Sequence, residues 1–196
     1  MTTTYLARTL VLLAALACSA CASNLEAIDS SNRYPEKIAW PEDYQPAEAG
    51  FFVHNAIEID AAPETVWEIL VRAHDWPRWY EGASNVRLAD GSEVLQQDSV
   101  FSWKTMGLNF ESTVTEFVPY SRLSWESRKR VIRGYHGWLI IPQGDGCVVI
   151  TEESQHGFFA FLQRVFQPNR LRKWHDVWLE ELKALAEAPP AAARAN

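Results

Sequence analysis

The sequence predicts one α+β domain, an antiparallel sheet of about seven strands closed by a long C-terminal helix. Three observations carry that reading. Residues 52–59 alternate between two faces, six further strand-like runs lie between 85 and 154, and apolar residues recur every three or four positions from Leu171 to Leu185.

In the first strand Val53, Asn55, Ile57 and Ile59 share one face, and His54, Ala56 and Glu58 the other. Pro63 suits the first position of a helix, Glu64 suits its positive end, and Val66, Trp67, Leu70 and Val71 form its apolar stripe. Ala62 stands where a capping Ser or Asp is common, at a cost of about 1 kcal/mol. The run HDWPRWYEG reads as a second short helix or turn ending at Gly82. Strands are expected over 85–88, 100–105, 110–118, 122–128, 135–141 and 147–154. Asp90-Gly91, Met106-Gly107, Pro119-Tyr120-Ser121 and the run from Gln143 to Gly146 supply turns between them. In the closing helix Leu171, Trp174, Trp178, Leu182 and Leu185 make one stripe. Pro168 separates it from FFAFLQRVF, whose simplest reading is a buried first turn, with a cavity lid or a membrane-touching segment as alternatives.

Composition bounds the function. The 196 residues are 47% hydrophobic and 22% charged, as in a globular domain, and nine Trp, nine Phe and six Tyr can fill a core or line a cavity. A net charge of −7 argues against nucleic acid as a partner.

Residues 1–20 read as an export signal. Arg8 gives a positive start, 9–17 an apolar core too short for the roughly 17–25 residues of a membrane span, and Cys18, Ser19, Ala20 and Cys21 a small-residue cleavage region. Ser19-Ala20-Cys21 resembles a bacterial lipobox, with Cys21 as the lipidated residue and a membrane-anchored envelope protein as the product. Cys18 is a second candidate, and ordinary cleavage after Ala20 or Ala22 would give a soluble periplasmic or secreted protein. Cleavage before Cys21 removes one base and no acid, taking the charge from −7 to −8. Only Cys147 then remains free, and its CVVI setting marks it as a buried hydrophobe. Residues 21–50, interrupted by Pro35, Pro41 and Pro46, read as a tether, although Tyr34, Trp40 and Tyr44 suggest that part of it lies against the domain. Residues 51–188 form the domain, and 189–196 read as a disordered tail.

The element order is that of the helix-grip fold. The blocks WEILVRAHDWPRWYEGASNVRL, FSWKTMG, VTEFVPYSRLSW, GYHGWLIIPQGDGCVVITEE and KWHDVWLEELK resemble the polyketide cyclase/dehydrase-like group of the START-related (SRPBCC) superfamily over roughly residues 53–188. The resemblance implies a curved sheet gripping the last helix, with a cavity between them for a small hydrophobic or lipid-like ligand. Strand alternation places Phe101, Trp103 and Thr105 inward, then Phe110, Ser112 and Val114, then Leu123 and Trp125, and finally Val149, Thr151 and Glu153. For YHGWLIIP the resemblance selects His136, Trp138 and Ile140. The candidate ligand-binding residues are therefore Phe101, Trp103, Ser112, Trp125, His136, Trp138, Thr151 and Glu153.

Within that set His136 and Glu153 are the only weak candidates for catalysis, as a general acid and base in an apolar cavity. No nucleophile elbow, phosphate loop, dinucleotide fingerprint or zinc helix is present in the sequence. The five histidines are scattered without a close ligand pair, so no metal or other cofactor is expected. Two basic clusters, around Arg128–Arg133 and Arg170–Lys173, read as solvated surface, with anionic headgroups as the alternative partner. The leading expectation is an exported, lipid-anchored carrier of a small apolar molecule. A cyclase, dehydratase or isomerase using the same cavity, or a noncatalytic envelope interaction module, are its rivals.

Overall fold

The computed structural model describes residues 23–189. After a helix at 23–31 (α1) come β1 (Phe51–Ile59), α2 (Pro63–Val71), α3 (Trp76–Trp79), β2 (Ala83–Leu88), β3 (Val100–Thr105), β4 (Leu108–Val118), β5 (Arg122–Lys129), β6 (Ile132–Gln143), β7 (Gly146–His156), α4 (Phe158–Phe166) and α5 (Arg170–Ala186). The strands form one sheet in the order β1-β7-β6-β5-β4-β3-β2, antiparallel throughout. Register shifts between Val114 and Glu116 in β4 and between Ser84 and Arg87 in β2 place extra residues in the ladder, which bends a sheet. The result is the expected curved α+β helix-grip architecture, with α5 in the concave face.

The core lies between that face and the helices. Trp76, Phe101, Trp103, Trp125, Trp138 and Trp178 are all buried there, with Trp76 at 5.2 Å from Trp178 and 5.6 Å from Trp125 between ring centres. The Trp76 indole N–H donates to the Leu70 carbonyl at 2.9 Å, so the large aromatic is satisfied where it is buried. The α5 helix is tied to β1 by Asn55, whose Nδ2 donates to the Arg172 carbonyl at 3.1 Å and to Asp176 Oδ1 at 2.5 Å. Its buried stripe is Leu171, His175, Trp178, Leu179, Leu182 and Ala186; Leu185, expected on that stripe, is 41% exposed. Leu185 lies one helical step from the Leu182–Ala186 line and turns outward.

Within the segment expected as a tether with part of it against the domain, residues 23–49 form a strap across the convex face of the sheet. Ile38 and Tyr44 pack on Tyr135, Leu139, Val148 and Ile150, while Ala27 and Ala49 pack on Phe52. The Tyr44 hydroxyl donates to Glu126 Oε1 at 2.8 Å, and the Asn24 side chain bonds the Ala49 carbonyl and the Phe52 amide. Prolines break helical periodicity without preventing aromatic anchors from docking, and Tyr34, Trp40 and Tyr44 are such anchors. Beneath the strap His54 Nδ1 donates to Glu152 Oε1 at 2.7 Å, both side chains buried and Tyr34 tilted over the imidazole.

A further correction concerns FFAFLQRVF. It is a separate helix, α4, and only Ala160 in it is buried. Phe158 and Phe166 are each 69% exposed, and Phe159 and Phe161 are exposed as well. Gly157 starts it at a φ of 101°, where an added Cβ would sit 2.8 Å from the Val131 carbonyl. This left-handed, crowded position is one that glycine alone occupies easily. The segment expected to be an export signal, with Cys18 and Cys21, and the residues beyond 189 lie outside the described residues. Cys147 is buried, as expected, and burial pushes its thiol up to about 11, far from nucleophilic. Among the described residues no helix is long and apolar enough to cross a membrane.

Candidate ligand-binding site

Between the sheet and α5 lies a cavity of about 50 Å³, room for a few water-sized groups with the side chains as they stand. Trp103, Phe110, Trp125, Leu171, Trp174 and Trp178 give it an apolar wall, and its polar lining includes His136, Glu153, Gln155, His175, Thr105, Ser127, Gln163 and Tyr80. Neither Lys nor Arg is among the described residues that line it.

Strand pairing builds the polar wall. His136 on β6 stands opposite Glu153 on β7, and Gln155 lies two residues further along the same face. From α5 His175 reaches down to the pair. Its Nε2 donates to Glu153 Oε2 at 3.2 Å, while the Gln155 amide donates to Glu153 Oε1 at 2.7 Å. His136 Nδ1 is 3.5 Å from Glu153 Oε2, and His136 Nε2 hydrogen-bonds Thr151 Oγ1 at 2.7 Å. The two imidazoles stack with 4.7 Å between centres. Burial, reinforced by His175, drives the His136 pKa down to about 3, so the ring is neutral near pH 7. For Glu153 burial acts upward, but the hydrogen bond from His175 and the proximity of His136 outweigh it, and the carboxyl stays ionised. The Tyr80 hydroxyl is held above its usual range, first by burial and then by Glu153 and Glu81, and remains a donor.

The structure brings four of the eight expected ligand-binding residues to the cavity wall: Trp103, Trp125, His136 and Glu153. The other four stand behind it. Phe101 packs on Trp76 and Trp125; Ser112 holds the Trp103 indole at 3.0 Å and Ser127 at 2.6 Å; Thr151 fixes His136; and Trp138 stacks behind His136 at 5.6 Å. They face inward as alternation requires, yet larger neighbours separate them from the empty space. The histidines also need correcting, because His136 and His175 are not scattered. Both meet Glu153, and the nearest ligand atoms of the three residues all lie within 4.8 Å of one another. His175 sits four residues after Leu171 and three before Trp178, a polar residue on the helix's apolar line. That spacing was the available signal for it, as the step of two from Glu153 was for Gln155.

A curved seven-stranded sheet wrapped on its C-terminal helix, with a polar-walled cavity between them, defines a helix-grip protein. The chain belongs to the family described as polyketide cyclase/dehydrase and lipid transport, whose model matches residues 52–187. Hypothetical protein jhp0584 from Helicobacter pylori is 26% identical, with a TM-score of 0.73 over 78% of this chain and 98% of that one. The di-domain ARO/CYC BexL from the BE-7585A biosynthetic pathway is 20% identical, with a TM-score of 0.59 over 71% of this chain and 51% of its own. Truncated norcoclaurine synthase from Thalictrum flavum is 12% identical, with a TM-score of 0.57 over 71% of this chain and 94% of that one. The last two likenesses concern the fold alone. No curated protein matches the chain.

Proposed function

We propose that this protein is exported, anchored by a lipid on Cys21, and holds a small hydrophobic or lipid-like molecule whose polar end lies against Glu153, His136 and His175. The observation that carries the reading is the make-up of the cavity: a largely aromatic and aliphatic lining in which Glu153, His136 and His175 meet in one cluster. Such a cluster orients a ligand through one end and leaves the remainder to apolar burial. The family description, which includes lipid transport, is in keeping with this.

Membrane contact draws support from α4, beside the cavity. Four exposed phenylalanines sit in a stretch, 157–175, with four cations (Arg164, Arg170, Arg172, Lys173) and no acid. That combination suits an anionic bilayer surface and is at odds with the net charge of the chain. A second reading, a cyclase or dehydratase, is favoured by one observation, an ionised Glu153 beside a neutral imidazole in a buried site. Glu153→Gln separates the two. A carrier loses ligand retention and forms no product in any variant, whereas an enzyme keeps its occupancy and loses turnover.

A further inference from the structure

We propose that His136, Glu153 and His175 form a three-ligand site for a borderline divalent cation of the Zn²⁺ type, open on its fourth side to the cavity. The proposal deepens the ligand-binding reading and rests on it only for the cavity. Spacing is the first argument. Donor atoms at about 2.0–2.2 Å from one zinc ion stand roughly 3–3.5 Å from each other. Glu153 Oε2 is 3.2 Å from His175 Nε2 and 3.5 Å from His136 Nδ1, and these two distances carry the spacing argument; the bound over all three ligand atoms, 4.8 Å, is wider than that range. The 3.5 Å contact is too long for a good hydrogen bond. It is the separation expected of two donors on one ion.

The surroundings supply the second argument. Gln155 occupies Glu153 Oε1, which leaves Oε2 turned toward both imidazoles. Thr151 engages His136 Nε2, the ring nitrogen remote from the carboxylate, as outer-shell partners of metal-bound histidines do. The cavity holds a carboxylate without a lysine or arginine among the described residues that line it, so its charge lacks a fixed counter-ion beyond the imidazoles. Two imidazoles and one carboxylate are a donor set that leaves a position for water or a ligand atom. A metal there would select apolar molecules that end in an oxygen donor, such as a carboxylate, a carbonyl or a hydroxyl.

The test uses tag-free mature protein stripped with a chelator, titrated with Zn²⁺ and then Co²⁺ with no apolar ligand present. One Zn²⁺ per chain should bind with a micromolar or tighter dissociation constant. Glu153→Gln and His175→Gln should each weaken binding by more than the ~10- to 100-fold that loss of an outer-shell partner costs. His74→Gln, on an exposed residue, should leave it unchanged. The wild-type Co²⁺ complex should show the intense visible bands of a four- or five-coordinate ion, a readout that does not depend on how well the variants fold. Absence of stoichiometric binding, absence of those bands, or equal binding by Glu153→Gln would each overturn the proposal. Uptake of an apolar dye, measured on the same metal-free protein, reports on the cavity separately. Dye binding without metal binding removes the metal alone, and loss of dye binding removes the carrier reading.

Discussion

His136 gives the protein a pH dependence traceable to a named residue, and His156, whose pKa burial also lowers, adds to it in the same direction. The folded His136 pKa of about 3 lies below the ~6.5 of an exposed histidine, so between those values the unfolded chain binds a proton that the native protein does not. Stability from this group is complete above about pH 6.5 and is lost as the pH falls toward 3, by up to about 1.4 kcal/mol per pH unit. In the presence of a chelator the thermal midpoint should drop between pH 7.5 and 5.5, and His136→Gln should flatten that drop; equal drops in both proteins contradict the assignment. At the cavity wall, Trp103→Ala or Trp125→Ala should weaken dye binding and cost about 3–5 kcal/mol of stability. Glu153→Gln should weaken ligand retention by about 1–3 kcal/mol with little loss of fold. Glu153 was legible from the two-residue alternation of its strand, and His136 from the family resemblance, which selected between the two faces that alternation left open on β6. Alternation says nothing about depth, which is why Trp138 and Phe101, although inward, lie behind the wall. His175 escaped notice because a histidine on an apolar helical line looks like core until the opposing strand is known.

At the scale of elements the strands were readable from their turns and two-residue period, and α5 from its stripe. The strap and α4 were not, since their roles depend on surfaces far away in sequence. Gly137 shows this for the strap: an added Cβ there would meet Ile38 at 2.7 Å, so a bare backbone on β6 is what lets the strap lie flat. Gly137→Val should cost about 1–3 kcal/mol by overpacking and should open 23–49 to limited proteolysis while dye binding persists. An unchanged cleavage pattern would mean that the strap is held elsewhere. For α4, replacing Phe158, Phe161 and Phe166 by Ser should reduce co-sedimentation with phosphatidylglycerol vesicles and leave the thermal midpoint nearly unchanged, because these rings are exposed. Equal sedimentation of both proteins would assign the phenylalanines another partner.

For the whole molecule, the account joins an anchor, a docking helix and a cavity. Fatty-acid labelling should mark the wild type and not Cys21→Ala; equal labelling, or none in either, removes the lipid anchor from it. An anchored protein with α4 toward the bilayer would keep its cavity beside a reservoir of apolar molecules, and the cluster of Glu153, His136 and His175 would select those with a polar end. The most direct test is native mass spectrometry of protein purified from its own host. The wild type should carry one small apolar molecule per chain, and Glu153→Gln should carry markedly less. A bare polypeptide mass for the wild type, persisting after incubation with a lipid extract of the host, would contradict the claim that the cavity exists to hold such a molecule.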